Sequence, residues 1–243
     1  MGFGAVTLAD FLDDVEAARG TITVYSDEQP TWVADQFEAR NVAVHHEPLP
    51  PNGPPGFVVF REGGEFLASI GLRELREILA PPIRRPWQDR PDSTGYRTLF
   101  ELLDDTIFTA FDRRQLLGAA REIEDRAWRV GTGTLRVGFQ RLSAMWSQVE
   151  VYERLGAETA LSIHVYGRPD WVPAAVPNVR IHAETAPEIG SFWFLAFDGG
   201  SEPQNACALL AEERSPEAFY GFWTYDEDLV GAIEAYLSST YGR

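Results

Sequence analysis

Ala80-Pro-Pro-Ile-Arg-Arg-Pro-Trp-Gln-Asp-Arg-Pro-Asp-Ser-Thr-Gly95 is the stretch that divides this chain of 243 residues. It contains four prolines and several polar residues, and it shows no apolar periodicity. That composition is typical of an extended connection between folded units. We therefore predict a first domain at residues 1–80, a linker at 81–95 and a second domain at 96–243.

The residues before the linker alternate between helical and strand patterns. Thr7 and Asp10 form a capping-box sequence at the start of the first helix. The apolar face of that helix consists of Leu8, Phe11, Leu12, Val15 and Ala18. The elements predicted after it are a strand at Thr21–Tyr25, a helix from Pro30 to Arg40, a strand at Val42–His45, a hairpin of Phe57–Phe60 with Glu65–Ser69, and a helix from Leu72 to Leu79.

This order of elements resembles the thioredoxin and glutaredoxin fold. Where that family carries Cys-x-x-Cys, the chain has Ser26, Asp27, Glu28 and Gln29. Thiol–disulfide exchange requires a thiolate nucleophile, which these residues do not supply. The resemblance therefore implies a redox-inactive α/β domain that serves in docking or packing.

The residues after the linker predict helices first and strands later. A helix at Asp112–Val130 has one apolar stripe, which could pack on its own sheet or pair with a partner helix. A second helix is predicted at Arg141–Leu155 and a final one at Asp228–Ser238. Strands are predicted at Thr159–Tyr166, Val179–Ala183, Ser191–Phe197, Ala206–Glu212 and Phe219–Tyr225. This arrangement favours an α+β domain with a largely antiparallel sheet.

A set of short phrases occurs in order along this second domain. They are Glu124-Asp125-Arg126-Ala127, Gly138-Phe139-Gln140-Arg141, Tyr152-Glu153-Arg154-Leu155, His164-Val165-Tyr166-Gly167, Phe192-Trp193-Phe194-Leu195 and Gly221-Phe222-Trp223-Thr224-Tyr225-Asp226. As a set they resemble the DICT domain, the sensory domain of diguanylate cyclases and two-component systems. The resemblance covers about residues 96 to 240.

The resemblance implies a sensory module in signal transduction, commonly joined to a kinase, cyclase or DNA-binding output. The chain contains no GGDEF phrase, kinase motif or basic helix-turn-helix. We therefore expect it to signal through a separate partner, a kinase or a transcription regulator. Whether it forms a homodimer stays open.

The charge is strongly acidic, with 21 basic and 37 acidic residues, a net charge of −16 and arginine as the sole basic type apart from histidine. Concentrated salt screens such self-repulsion, so we expect a halophilic, archaeal cytoplasm. Direct binding to nucleic acid is disfavoured because phosphates require clustered positive charge. The acidic residues within Met1–Asp14 argue against a signal peptide, and no apolar run is long enough for a membrane span.

Candidate catalytic residues are sparse, and we predict a protein that is not an enzyme and binds no metal. His45 and His46 are adjacent on a predicted strand and point to opposite faces. His164 and His182 lie on separate strands. Cys207 lies in an apolar run, which indicates a buried thiol. An unassigned enzyme that uses acidic residues remains an alternative.

The second domain is rich in aromatic residues, whereas it contains few candidate catalytic residues. Several flat rings around one concavity would suit an aromatic or heterocyclic ligand, and the alternative is that they form the core. The predicted pocket consists of Arg126, Gln140, Trp146, Tyr166, Trp193 and Trp223. The cofactor stays unknown. The function we expect is signal sensing through a small ligand or partner, and the alternative is an interaction adaptor without a ligand.

Overall fold

Two β-sheets and the helices packed on them make up the described part of the computed structural model, which confirms the predicted α+β class. The structure describes residues 7–17, 20–37, 42–50, 52–62, 64–78, 107–111, 113–216 and 218–242. The predicted linker at 81–95 lies outside these residues, and the domain boundaries stay a prediction.

The first sheet follows the element order expected from the sequence. Helix α1 (Leu8–Ala17) precedes β1 (Gly20–Ser26), α2 (Thr31–Phe37), β2 (Val42–Pro48), β3 (Phe57–Glu62), β4 (Glu65–Gly71) and α3 (Leu72–Ile78). The strand order is β2-β1-β3-β4, in which β1 and β2 are parallel and the other pairs are antiparallel. The thioredoxin resemblance itself stays a prediction.

Helix α1 begins with the predicted capping box. The Thr7 N–H donates to Oδ2 of Asp10 at 2.9 Å, and the Asp10 N–H donates to Oγ1 of Thr7 at 3.3 Å. The helix presents its buried face to the second sheet, whereas the sequence pattern predicts it as part of the first domain. Glu188 links α1 to the C-terminal helix, since it accepts hydrogen bonds from the Leu8 N–H and from the hydroxyls of Tyr236 and Tyr241.

The second sheet has seven strands and is mixed. They are β5 (Ile107–Phe111), β6 (Thr132–Arg141), β7 (Ala160–Arg168), β8 (Val179–Ala183), β9 (Phe192–Phe197), β10 (Cys207–Ser215) and β11 (Ala218–Thr224). Their order is β5-β11-β10-β9-β6-β7-β8, and β6, β7 and β8 are mutually parallel while the remaining pairs are antiparallel.

Strands β5 and β6 were absent from our predictions. In β6, Gly133, Arg136 and Gly138 interrupt the apolar pattern that would have indicated a strand. The tertiary structure overrides this weak local preference, because β6 lies inside the sheet between β9 and β7.

Helices cover both faces of the second sheet. On one face lie α4 (Arg113–Val130), a 3₁₀ helix (Leu142–Gln148) and α5 (Val149–Glu158). On the other lie α1, α6 (Pro187–Ser191) and α7 (Glu227–Tyr241). The apolar stripe of α4 therefore packs on its own sheet. The predicted helix at 141–155 is in fact a 3₁₀ helix followed by an α-helix.

Strand β9 shows why the sheet is buried on both sides. Trp193, Leu195 and Phe197 contact the layer that contains α4, whereas Phe192, Phe194 and Ala196 contact the opposite layer. Side chains alternate between faces along a strand, so an uninterrupted apolar run needs cover on both faces. The site described next lies on the α4 face.

Candidate functional site

A cleft of about 330 Å³ opens on the α4 face of the second sheet. It is lined by the start of α4, by the 3₁₀ helix and by residues of β6, β9, β10 and β11. A volume of this size lies at the lower end of the range of small-molecule sites.

The inner wall of the cleft is aromatic. Phe139, Trp193 and Phe219 are all buried and line it together with Leu117. The rings of Trp193 and Phe219 meet edge to face, with centroids 6.0 Å apart and an interplanar angle of 81°. Such a wall can pack against a flat apolar ligand.

Trp193 carries a buried donor at this wall. Its side chain is 8% exposed, and Nε1 has no hydrogen-bond partner among the described residues. Buried donors are rarely left unpaired, because an unsatisfied polar group costs about 1–3 kcal/mol. The indole N–H is therefore an unsatisfied buried donor in the wall of the cleft.

Gln140 lies at the rim in an unusual backbone conformation. Its φ is +49°, which places a residue other than glycine in the left-handed region, next to an irregularity in the pairing of β6 with β7. Its Nε2 donates to Oε2 of Glu213 at 2.8 Å and to the Ser191 carbonyl at 3.4 Å. Strain of this kind costs about 1–3 kcal/mol and clusters at functional sites.

Behind the cleft, α4 buries a network of charged side chains. Arg121 donates to Oε2 of Glu124 and to Oε1 of Gln148, and the Tyr152 hydroxyl donates to Oε1 of Glu124 at 2.5 Å. Burial raises the pKa of Glu124, and the Arg121 charge opposes that shift. A second cavity of about 10 Å³ separates this network from Trp193. Gln148 thus connects the cleft to the buried charges.

The comparison with protein families decides what this half of the chain is. The family model DICT, described as the sensory domain in diguanylate cyclases and two-component systems, matches residues 97–214. These residues are a DICT domain. The cleft lies within the match except for Phe219, which follows it closely in β11.

The other comparisons add little. No curated protein matches the chain. Among solved structures, the chain is similar to the crystal structure of polyphosphate kinase from Porphyromonas gingivalis, with 10% identity and a TM-score of 0.36. The alignment covers 94% of this chain and 47% of that chain. So low a TM-score carries no argument about fold or activity.

The DICT domain brings two of the six predicted pocket residues together at the cleft, namely Gln140 and Trp193. Trp223 is buried in the same layer but does not line the cleft. The Arg126 guanidinium lies 4.4 Å from the centre of the Tyr225 ring. These two side chains therefore belong to the packing of α4 on the sheet.

Trp146 and Tyr166 lie away from the cleft for opposite reasons. Trp146 is 71% exposed on the outer side of the 3₁₀ helix, where its ring meets that of Trp171 at 5.5 Å. Tyr166 is fully buried in the layer on the other side of the sheet. The aromatic residues of the second domain thus lie in several places: in the cleft wall, in the two buried layers and on the exposed surface.

Tyr166 belongs to a polar cluster on that opposite face. Arg136 donates to the Tyr166 hydroxyl at 2.6 Å and to Oε2 of Glu234 at 2.5 Å. Nδ1 of His164 and Nε2 of His182 share a hydrogen bond of 2.9 Å. Burial lowers the pKa of His164 to about 4, with help from nearby positive charge. Burial also raises the pKa of Glu234 to about 8, although Arg136 opposes that shift.

Within the ranges that the structure describes, no group of three His, Cys, Asp or Glu side chains is placed to hold a metal ion. Cys207 is 1% exposed, and burial raises the pKa of its thiol to about 12.

Among the helices of the described ranges, none combines the length and the hydropathy that a membrane crossing needs.

Sequence reasoning missed most of the polar rim. Glu213, Ser143, Ser147 and Gln148 line the cleft, but none of them is among the predicted pocket residues. One available signal was the phrase Gly138–Arg141, since Phe139 and Arg141 line the cleft beside Gln140.

Proposed function

We propose that the DICT domain senses a small molecule bound in the cleft beside Trp193. The observation that carries the proposal is the combination of an aromatic wall, an unpaired buried indole N–H and a strained rim residue in one concavity of about 330 Å³. Binding sites combine apolar walls with a few oriented polar groups in this way.

The route of the signal follows the elements that line the cleft. Ser143, Ala144, Ser147 and Gln148 reach it from the 3₁₀ helix, which continues directly into α5. Runs of 3₁₀ helix longer than about four residues are uncommon, because their hydrogen-bond geometry is poorer than that of an α-helix. This one spans seven residues. We infer that a ligand shifts the helix between two arrangements, which requires different affinities for the two states.

A separate output protein, a kinase or transcription regulator, would read this change. The family description, which names diguanylate cyclases and two-component systems, supports a signalling context. The proposed setting is a salt-rich cytoplasm, which the net charge of −16 supports. A sensory family also favours a role other than catalysis.

Native mass spectrometry and an absorption spectrum of protein purified in high salt test the proposal. A reproducible added mass is expected in wild type and should be lost in Ala144→Phe, because Ala144 lines the cleft and a phenyl ring would fill it. The matched control is Ala157→Phe, which places the same ring on the exposed side of α5. Ligand retained equally by both variants would place the binding site elsewhere.

An interaction adaptor is the second candidate function, and one surface favours it. Trp146 and Val172 are 71% and 88% exposed, and Trp171 stacks edge to face on Trp146. Exposed apolar groups of this kind mark interaction sites when they are contiguous. A clean apo mass together with a partner that is lost in Trp146→Ser would support the adaptor and oppose the ligand sensor.

A further inference from the structure

The 3₁₀ helix beside the cleft (Leu142–Gln148) has two distinct faces, because side chains three residues apart line up in such a helix. Leu142 and Met145 share one face and are buried in the core. Ala144 and Ser147 share another face and line the cleft. A molecule that fills the cleft would therefore contact the same short helix that is anchored in the core.

Gln148 ends this helix and connects the cleft to buried charges. It lines the cleft, and it is also the N-cap residue of α5. Its Nε2 donates to Oγ of Ser147 at 3.0 Å, whereas its Oε1 accepts a hydrogen bond from Arg121 of α4. One amide group thus bonds to the cleft lining on one side and to a buried guanidinium on the other.

The buried charges beyond Gln148 belong to a network that joins two helices. Arg121 and Glu124 of α4 are 8% and 2% exposed and form an ion pair. Tyr152 of α5 is 1% exposed and donates to the second oxygen of Glu124 at 2.5 Å. A buried charge that loses a partner destabilises the fold strongly, so these groups have to move together. A displacement of Gln148 would therefore reach both α4 and α5.

A second set of contacts holds the outer side of the 3₁₀ helix, but it is exposed to water. Asp170 accepts hydrogen bonds from the N–H and the hydroxyl of Ser143, at 2.9 and 2.5 Å. Trp171 contacts Trp146, which is 71% exposed. Exposed polar contacts are hydrated and screened by salt, and they contribute little to stability. The buried network is therefore the stronger of the two connections.

We propose that Gln148 and the buried Arg121–Glu124 pair relay occupancy of the cleft to the packing of α4 against α5. This inference rests on the proposed function, because it names how the same cleft is coupled to the rest of the domain. A molecule that displaces the 3₁₀ helix moves the Gln148 amide, and Arg121 follows it. The bond between Glu124 and Tyr152 then adjusts. Helices α4 and α5 are thus the elements that carry the change to an output partner.

A double-mutant cycle tests the relay without a known ligand, because a phenyl ring in the cleft takes the place of one. Ala144→Phe fills the cleft, and Tyr152→Phe removes the hydroxyl at the far end of the network. We expect the effect of Tyr152→Phe on the equilibrium constant of unfolding to differ at least about fivefold between wild type and Ala144→Phe. Urea denaturation in constant salt measures both effects. Ser147→Leu, on the same cleft face, replaces Ala144→Phe if that variant does not fold.

Two controls separate the relay from a general loss of stability. Tyr236→Phe also removes a hydroxyl from a carboxylate, that of Glu188, but on the opposite side of the sheet. Its effect should be equal in the two backgrounds within about twofold. Gln148→Met keeps the length of the side chain and removes the amide, so the coupling between Ala144→Phe and Tyr152→Phe should disappear in that background.

Two results would overturn the inference. Additive effects of Ala144→Phe and Tyr152→Phe would show that the network does not respond to the cleft. Coupling that persists in Gln148→Met would show that another contact carries it, such as the one between the rings of Phe139 and Tyr152. The proposed function depends instead on the added mass of the purified protein and its loss in Ala144→Phe, which this cycle does not measure.

Discussion

The hydroxyl of Tyr152 on α5 donates a hydrogen bond of 2.5 Å to the buried carboxylate of Glu124 on α4. Tyr152→Phe removes this donor and keeps the ring, which contacts Phe139 edge to face. Because a buried carboxylate loses a partner, we expect the free energy of unfolding to fall by about 1–3 kcal/mol. Urea denaturation in constant salt measures the change.

The control for this substitution is Tyr25→Phe, a half-buried tyrosine of the first sheet whose ring stacks on Phe57. We expect a change within about 0.5 kcal/mol there. Equal effects of the two substitutions would contradict the role assigned to the Glu124 network.

Phe11 tests whether α1 stabilises the second sheet. Its ring is 1% exposed among the side chains that cover β10 and β11, so Phe11→Ala should lower the free energy of unfolding by about 3–5 kcal/mol. Near-ultraviolet circular dichroism should show a partial loss of tryptophan signal, since five of the seven tryptophans follow residue 96.

Phe66→Ala is the matched control, because Phe66 is 59% exposed on β4. Its effect should stay within about 0.5 kcal/mol. If Phe11→Ala proved equally mild, the packing of α1 on the second sheet would be wrong.

The lowered pKa of His164 predicts that the free energy of unfolding depends on pH in the acidic range. Its pKa is lowered from 6.5 to about 4 by burial, then by Arg136 of β6 and by His182 and Arg180 of β8. Between these values the unfolded chain binds more protons than the folded one, so stability should fall as the pH drops from about 6.5 to 4.

The His164→Gln variant removes this titration. Over the same pH range its unfolding free energy should fall less steeply than that of wild type, as measured by denaturation at a series of pH values in constant salt. Parallel curves for the two proteins would show that His164 does not titrate abnormally.

Cys207 should be chemically inert in the folded protein. The thiol is buried on β10, and burial raises its pKa to about 12, so the reactive thiolate is scarce at neutral pH. We expect negligible labelling by iodoacetamide in native conditions and full labelling in denaturant, measured by intact mass. Rapid native labelling would contradict the burial of β10.

Much of the local structure could be predicted from residue patterns because its causes are local. The reciprocal bonds of Thr7 and Asp10 join residues three apart, and helix α4 (Arg113–Val130) shows its apolar stripe within one segment. The ordered phrases of the second half likewise sufficed to identify the DICT domain.

The position of α1 shows the limit of such reasoning. Its apolar face can be recognised from Leu8, Phe11 and Leu12. An apolar stripe indicates that this face of the helix is buried, but it does not indicate which sheet covers it. The contacts of α1 come from residues far away in the chain, such as Glu188, which is 180 residues from Leu8.

The sequence by itself determined the acidic composition, the α+β class and the identity of the sensory half, since these depend on residue counts and short patterns. Only the tertiary structure decided that Gln140 and Trp193 share a cleft while Tyr166 lies on the opposite face. The alternation of side chains along a strand separates the residues of its two faces. Which residues of β6, β7 and β9 share a face of the sheet depends on the register between these strands. Strand pairing between distant segments sets that register, and no local pattern encodes it.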